Sequence, residues 1–155
     1  MRKKRNYKRD HQGDVKYGSV SVARFINAIM RNGKKSIAER VVYDAFDLIK
    51  TQTKEEALKV FEKALENAQP LVEVASKRVG GANYQVPREV RQERKFMLAT
   101  RWMITAARGK KGKDMAHKLA EEIIAASKNE GAAIKKKQDI HRMAEANRAF
   151  AHFSW

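Results

Sequence analysis

Val22, Phe25, Ile26 and Ile29 follow one another at intervals of three and four residues, and that spacing returns in five further segments of the chain. A helix turns once every 3.6 residues, so residues spaced this way form one apolar stripe that must be buried against something. Packed helices are therefore imposed on this chain before any other property is weighed.

The first helix is expected over residues 20 to 31, because Asn32-Gly33 supplies a stop. A second, over 36 to 50, starts at Ser36 and aligns Ile37, Val41, Ala45 and Leu48 on one face, with Phe46 and Ile49 beside them. Thr53, followed three residues later by Glu56, reads as a capping box for a third helix that buries Leu58, Phe61, Leu65 and Ala68 and ends at Pro70. Phe96, Ala99, Met103 and Ala106 mark helix four, over 90 to 108. Asp114 is placed to cap helix five, over 114 to 129, whose buried line is Met115, Leu119, Ile123 and Ala126. Gly131 separates a sixth helix carrying Ile140, Met143, Ala146 and Phe150, and the chain closes in the aromatic cluster Phe150, Phe153 and Trp155.

Only one stretch breaks the helical period. Val72, Val74, Val79, Tyr84 and Val86 sit among polar residues around Gly80-Gly81, a dipeptide that tolerates the positive φ of a two-residue hairpin turn. With those glycines as the turn, Val79 faces Ala82, Lys77 faces Tyr84 and Ala75 faces Val86, while Arg78 and Asn83 lie near a polar, basic tip. The expected fold is mainly α: a single domain of six helices over 19–155, with a protruding two-stranded β-hairpin at about 71–87 between helices three and four. A lone hairpin is marginally stable in water, so this arm needs the helices at its root. A chain of 155 residues with 43% hydrophobic content has room for one such core and no second domain. Residues 1–18, which lack apolar periodicity, are read as a flexible basic arm that a partner orders.

Thirty-four Lys and Arg against 18 Asp and Glu give a charge of +16, which repels itself unless a polyanion neutralises it. Nucleic acid is the expected partner. No membrane is expected, because no apolar run approaches the roughly 20 residues of a spanning helix. The N-terminal cations are followed by no signal-peptide core, and Asp10 with the scarcity of early serine counts against a cleaved organellar presequence. The absence of cysteine excludes disulfides, a thiolate nucleophile and a Cys-based zinc site, which suits a reducing cytosol.

The cations are clustered. Arg2, Lys3, Lys4, Arg5, Lys8 and Arg9 occupy the arm, and Lys34 and Lys35 follow Gly33. Arg94, Lys95, Arg101, Arg108, Lys110, Lys111 and Lys113 put seven cations and no acid into residues 94 to 113. Lys135, Lys136 and Lys137 open helix six, and Arg142 lies farther along it. Solvated helices usually mix their signs, so a run of this kind is expected to meet phosphate. Arg94, Arg101 and Arg108 recur every seven residues, away from the Phe96 and Met103 side. Glu39, Asp44, Asp47, Glu55, Glu56, Glu62 and Glu66 make helices two and three nearly balanced, which suggests a binding side and an opposite one. On the hairpin, Lys77, Arg78, Gly80, Gly81, Asn83 and Tyr84 form the tip region. Asn83 and Tyr84 suit base-edge hydrogen bonding and stacking, and suit turn-flanking and cross-strand packing equally well. Trp102 and Trp155 read as core or partner-contact residues.

No catalytic constellation emerges, and no cofactor is expected. Gly33-Lys34-Lys35-Ser36 is superficially like the end of a phosphate loop, but Ala28 replaces the first glycine, Lys35 occupies the Ser/Thr position and a helix precedes it. His11, His117, His141 and His152 are scattered without metal-ligand spacing, although His141 beside Arg142 suits a phosphate contact. A nucleoid-type DNA-binding protein would account for the charge and not for the hairpin. An RNA-modifying enzyme would account for RNA affinity and lacks the chemistry.

Longer stretches carry a family likeness. Phe25-Ile26, Gly33-Lys34-Lys35-Ser36, Ala38-Glu39 and Val41-Val42-Tyr43-Asp44-Ala45 resemble the N-terminal signature of the small-subunit ribosomal protein seven family. Pro70-Leu71-Val72-Glu73-Val74, the run Arg78-Val79-Gly80-Gly81-Ala82-Asn83-Tyr84-Gln85-Val86-Pro87 and the stretch from His141 to His152 are similar to its hairpin and C-terminal motifs. The resemblance runs from about Tyr17 to Trp155. Val15, Ser21 and Gln92 depart from residues common in the family and remove no basic contact. The resemblance implies a cytoplasmic structural constituent of the small ribosomal subunit, a primary binder of the 3′ major (head) domain of 16S-type rRNA that nucleates head assembly. It further implies a position near the tRNA exit site and the mRNA exit path, with exit-site tRNA, mRNA and neighbouring proteins of the head and platform as partners. On that basis the basic clusters meet rRNA, and the hairpin tip approaches tRNA or mRNA.

Overall fold

Val22, Phe25, Ile26 and Ile29 are the buried residues of α1 (Val20–Ile29), so the first stripe packs as its spacing predicts. The computed structural model of the protein describes residues 11–153. The helix stops two residues short of the expected end, because Met30 is extended and Asn32 and Gly33 both take positive φ, 52° and 72°. Just before α1, Asp14 is buried and fastens the chain to the next helix, α2 (Lys35–Thr53). Its carboxylate accepts the Lys16 and Tyr17 amides and the Tyr43 hydroxyl, the last at 2.8 Å. Burial and the bond to Asp14 push the Tyr43 phenol up to about 12.

The second stripe is rotated from its expected position. Ala38, Val42, Ala45, Phe46 and Ile49 are buried, whereas Ile37 is 55% exposed and Val41 and Leu48 are only partly covered. Apolar residues stand side by side on this helix, so periodicity defines a wide stripe, and its packing partners select the innermost line. They select the line through Phe46, whose ring lies 5.3 Å from Phe61 and 5.2 Å from Tyr17.

The expected capping box at Thr53 does not form. Thr53 is the last residue of α2, its hydroxyl donating to the Ile49 carbonyl and accepting the Glu55 amide, and Lys54 ends the helix at φ 58°. The following helix, α3 (Ala57–Ala68), starts after Glu56 and buries Ala57, Val60, Phe61, Ala64, Leu65 and Ala68, with Leu58 packed at the edge.

The hairpin has the expected register. β1 (Val72–Val79) and β2 (Ala82–Glu89) pair antiparallel with Val79 opposite Ala82, Lys77 opposite Tyr84 and Ala75 opposite Val86. Gly80 and Gly81, at φ 56° and 89°, make the turn that side chains disfavour. Val86 and Glu73 are buried at the root.

Three more helices complete the domain. These are α4 (Gln92–Gly109), α5 (Met115–Ser127) and α6 (Ala132–Ala146). α5 packs against α2, α3, α4 and α6, and its buried alanines, Ala116, Ala120 and Ala126, let neighbouring backbones approach. Asp114 stands at the N-cap of α5, yet its carboxylate engages His117 and makes no side-chain cap. The sixth helix ends at Ala146, earlier than its apolar spacing suggests: Asn147 caps it through the Met143 carbonyl, and a short 3-10 helix (Arg148–Phe153) turns Phe150 and Phe153 onto the hairpin. Met143, within α6, is 46% exposed.

Candidate nucleic-acid interface

α4 lies beside α1, and the seven-residue spacing of Arg94, Arg101 and Arg108 keeps these side chains near one line over about 21 Å of helix. With Arg24 of α1 and Arg91 they line a groove that encloses about 780 Å³. Phe96, Met97 and Ile104 form an apolar wall, and Glu93 is the one carboxylate among the lining residues. The Arg24 guanidinium rests over the Phe96 ring at 4.3 Å from its centroid. Arg108 also borders a smaller cleft lined by Arg31, Lys34 and Ile37, so the cations continue from Arg91 to the α1–α2 turn.

The groove's arginines are held differently. Arg94 is anchored, its Nε donating to both Glu73 oxygens at 2.8 and 2.7 Å, while Arg88 donates to the same carboxylate at 2.7 Å. Arg108 donates to the Ile29 carbonyl at 3.1 Å, satisfying the C-terminal end of α1. Burial, and then the like charge of Arg31, pull the Arg108 pKa below its ordinary value. Arg101 is exposed and has no acidic partner among the described residues.

Elsewhere the basic clusters divide. Lys110 binds the buried Glu122 at 3.1 Å, Lys113 binds Glu121, and Lys111 stays exposed. Glu122 also accepts the Ala133 amide, so one carboxylate joins Lys110, just past the end of α4, to the start of α6. Lys34 and Lys35 are exposed, Lys35 lying 3.7 Å from Glu39, and Lys95 is half-buried. Lys135, Lys136 and Arg142 are exposed on α6, whereas Lys137 donates to the Asn67 carbonyl at 2.7 Å and burial lowers its pKa. His141 has a structural task at the hairpin root, where its Nε2 accepts the Leu71 amide.

At the far end of the arm, Arg78, Gly80, Gly81 and Asn83 are exposed. Tyr84 packs against Phe150 and Phe153, with centroids 5.1 and 5.4 Å apart, and Lys77 donates to the Phe153 carbonyl. The expected N-terminal contacts at Arg2, Lys3, Lys4, Arg5, Lys8 and Arg9, and the terminal Trp155, lie outside the described residues.

Sequence reasoning missed Arg24 and Asn27, on the polar face of α1 opposite its apolar stripe, and Arg31 in the turn that follows. It also missed Arg91 and Thr100. Among the described residues, no group of His, Asp and Glu is placed to hold a metal ion, and no helix is long and apolar enough to cross a membrane.

The family model described as ribosomal protein S7p/S5e matches residues 1–148. Small ribosomal subunit protein uS7 of Thermotoga maritima is 57% identical over 155 residues, covering all of both chains. The uS7 of Fervidobacterium nodosum is 54% identical over the same full length, and that of Methylocella silvestris is 55% identical over 96% of this chain and 95% of its own. With a family model spanning nearly the whole chain and more than half the residues identical end to end, this protein belongs to the S7p/S5e family of ribosomal proteins.

Proposed function

We propose that this chain is a primary binder of the 3′ major (head) domain of small-subunit rRNA, that it nucleates assembly of the subunit head, and that its hairpin tip stands near exit-site tRNA and the mRNA exit path. As a member of its family it is a ribosomal protein of the small subunit and not an enzyme, so its work is binding and shape. The observation that carries the RNA reading is the set of arginines Arg91, Arg101 and Arg108 along the α1–α4 groove, where Glu93 is the one lining carboxylate, continued by Arg31 in the adjoining cleft. Such a line neutralises phosphates along a strand, and the released counterions drive association. Lys34 borders the adjoining cleft, and the exposed Lys35, Lys111, Lys135, Lys136 and Arg142, with the cations of the N-terminal arm, are the further phosphate contacts of this proposal. Family membership supports the choice of head-domain rRNA and the position of the arm.

Binding of the full chain to a head-domain rRNA fragment across a salt series tests this. The log–log slope should be steep, about 0.7 to 0.9 per phosphate neutralised. Arg101→Glu should weaken binding and lower the slope by about 1, with circular dichroism and melting like the parent's. A nearly flat titration refutes the RNA reading, and early melting of Arg101→Glu makes Arg101 structural.

A further inference from the structure

Thr100 sits on the groove side of α4, only 2% exposed, and its hydroxyl has no hydrogen-bond partner among the described residues. A helical threonine ordinarily donates to a carbonyl three or four residues back. This one does not, and a buried hydroxyl left unpaired destabilises the free protein. Phe96, Met97 and Ile104 wall the same groove, and Arg24 is already stacked on Phe96. A groove serving phosphates alone needs arginines and no apolar wall, whereas an unstacked base needs a flat surface and a polar group for its edge.

We propose that the groove between α1 and α4 takes an unpaired RNA nucleotide, its base laid against the Arg24–Phe96 stack and its polar edge hydrogen-bonded to Thr100. The proposal rests on the RNA-binding reading above and deepens it from backbone to base. A hydroxyl both donates and accepts, so Thr100 meets either kind of base-edge atom. In the free protein its oxygen is closed to water. Arg101 lines the same space and has no acidic partner among the described residues, so its swing outward to a flanking phosphate opens the groove while Arg24 stays on Phe96.

The test compares the parent, Thr100→Val and Thr100→Ser, each as the full chain, on the head-domain rRNA fragment over a salt series, with melting of each free protein. Thr100→Val should bind about fivefold to tenfold more weakly. Its salt slope should be unchanged, because no phosphate contact is removed, and its melting temperature equal or higher, because an orphan hydroxyl is gone. Thr100→Ser should bind like the parent. With 2-aminopurine substituted at unpaired positions of the fragment, one position should change fluorescence with the parent and not with Thr100→Val. Parental affinity in Thr100→Val, or lost affinity accompanied by early melting, overturns the proposal. So does equal binding, with an equal valine effect, to an RNA duplex lacking unpaired nucleotides. Weak, salt-insensitive binding by the parent itself would instead sink the broader RNA reading.

Discussion

Glu73 and Glu122 show what an acid does in a chain with so large a cationic excess. Each is nearly buried and gathers cations that composition alone would assign to RNA: Arg88 and Arg94 at the hairpin root, Lys110 at the end of α4. His141 belongs to the same class of internal fastening. Its acceptance of the Leu71 amide requires a neutral Nε2, and burial, then the charge of Lys137, pull its pKa below the ordinary 6.5. A depressed pKa means that the unfolded chain takes the proton first as pH falls. The contribution of His141 is therefore intact above about pH 6.5 and declines below it. Melting between pH 7.5 and 5.5 should show the parent losing stability more steeply than His141→Gln. Parallel curves would remove His141 from the hairpin's support.

At the scale of the element, the hairpin is two pieces with different attachments. Its root is tied by Glu73, His141 and the packing of α6 on β1, and its middle by Tyr84 and Lys77 against the 3-10 helix. Only residues 78–83 extend beyond these ties, on strands of eight residues that run about 27 Å. Replacing 78–83 with a two-residue Asn-Gly turn, keeping Lys77 and Tyr84, should leave melting within about 1 kcal/mol of the parent and entry into the small subunit intact. Exit-site tRNA retention or reading-frame fidelity should change instead, measured on the same subunits. Failure to enter the subunit would make the tip part of the rRNA anchor. A cut at 77–84 would confuse the outcome, because it also releases Phe150 and Phe153.

Across the whole molecule, stability and binding are placed on opposite sides of the same helices. Phe25, Phe46 and Phe61 touch edge to face or tilted at 4.9 and 5.3 Å in a core that α5 closes, while the arginines of α1 and α4 face away. Phe61→Ala should cost about 3–5 kcal/mol, a large share of the roughly 5–15 kcal/mol a domain has. Where that variant remains folded, it should bind rRNA with the parent's salt slope. Denaturant melts and a low-temperature salt titration check both halves, and an altered slope would mean that core and groove are coupled.

What the sequence by itself determined is what local rules govern. The six helices, the single interruption and the register of the hairpin follow from spacing within a dozen or so residues, and Gly80-Gly81 leaves the two strands one natural pairing. The sixth stripe, by contrast, fails: α6 buries Ala133, Ile134 and Ala144 and leaves Met143 and Ala146 exposed. The tertiary structure alone decided which face of α2 is innermost, because adjacent apolar residues tie and the Phe46–Phe61 contact breaks the tie. It alone also decided which cations face outward. Residues 94 to 113 hold no acid, yet Arg94 finds Glu73 from 21 residues away, and Lys137 finds the Asn67 carbonyl from 70. Charge counted along a chain ignores partners that folding brings across it, and Coulomb attraction depends on distance in space.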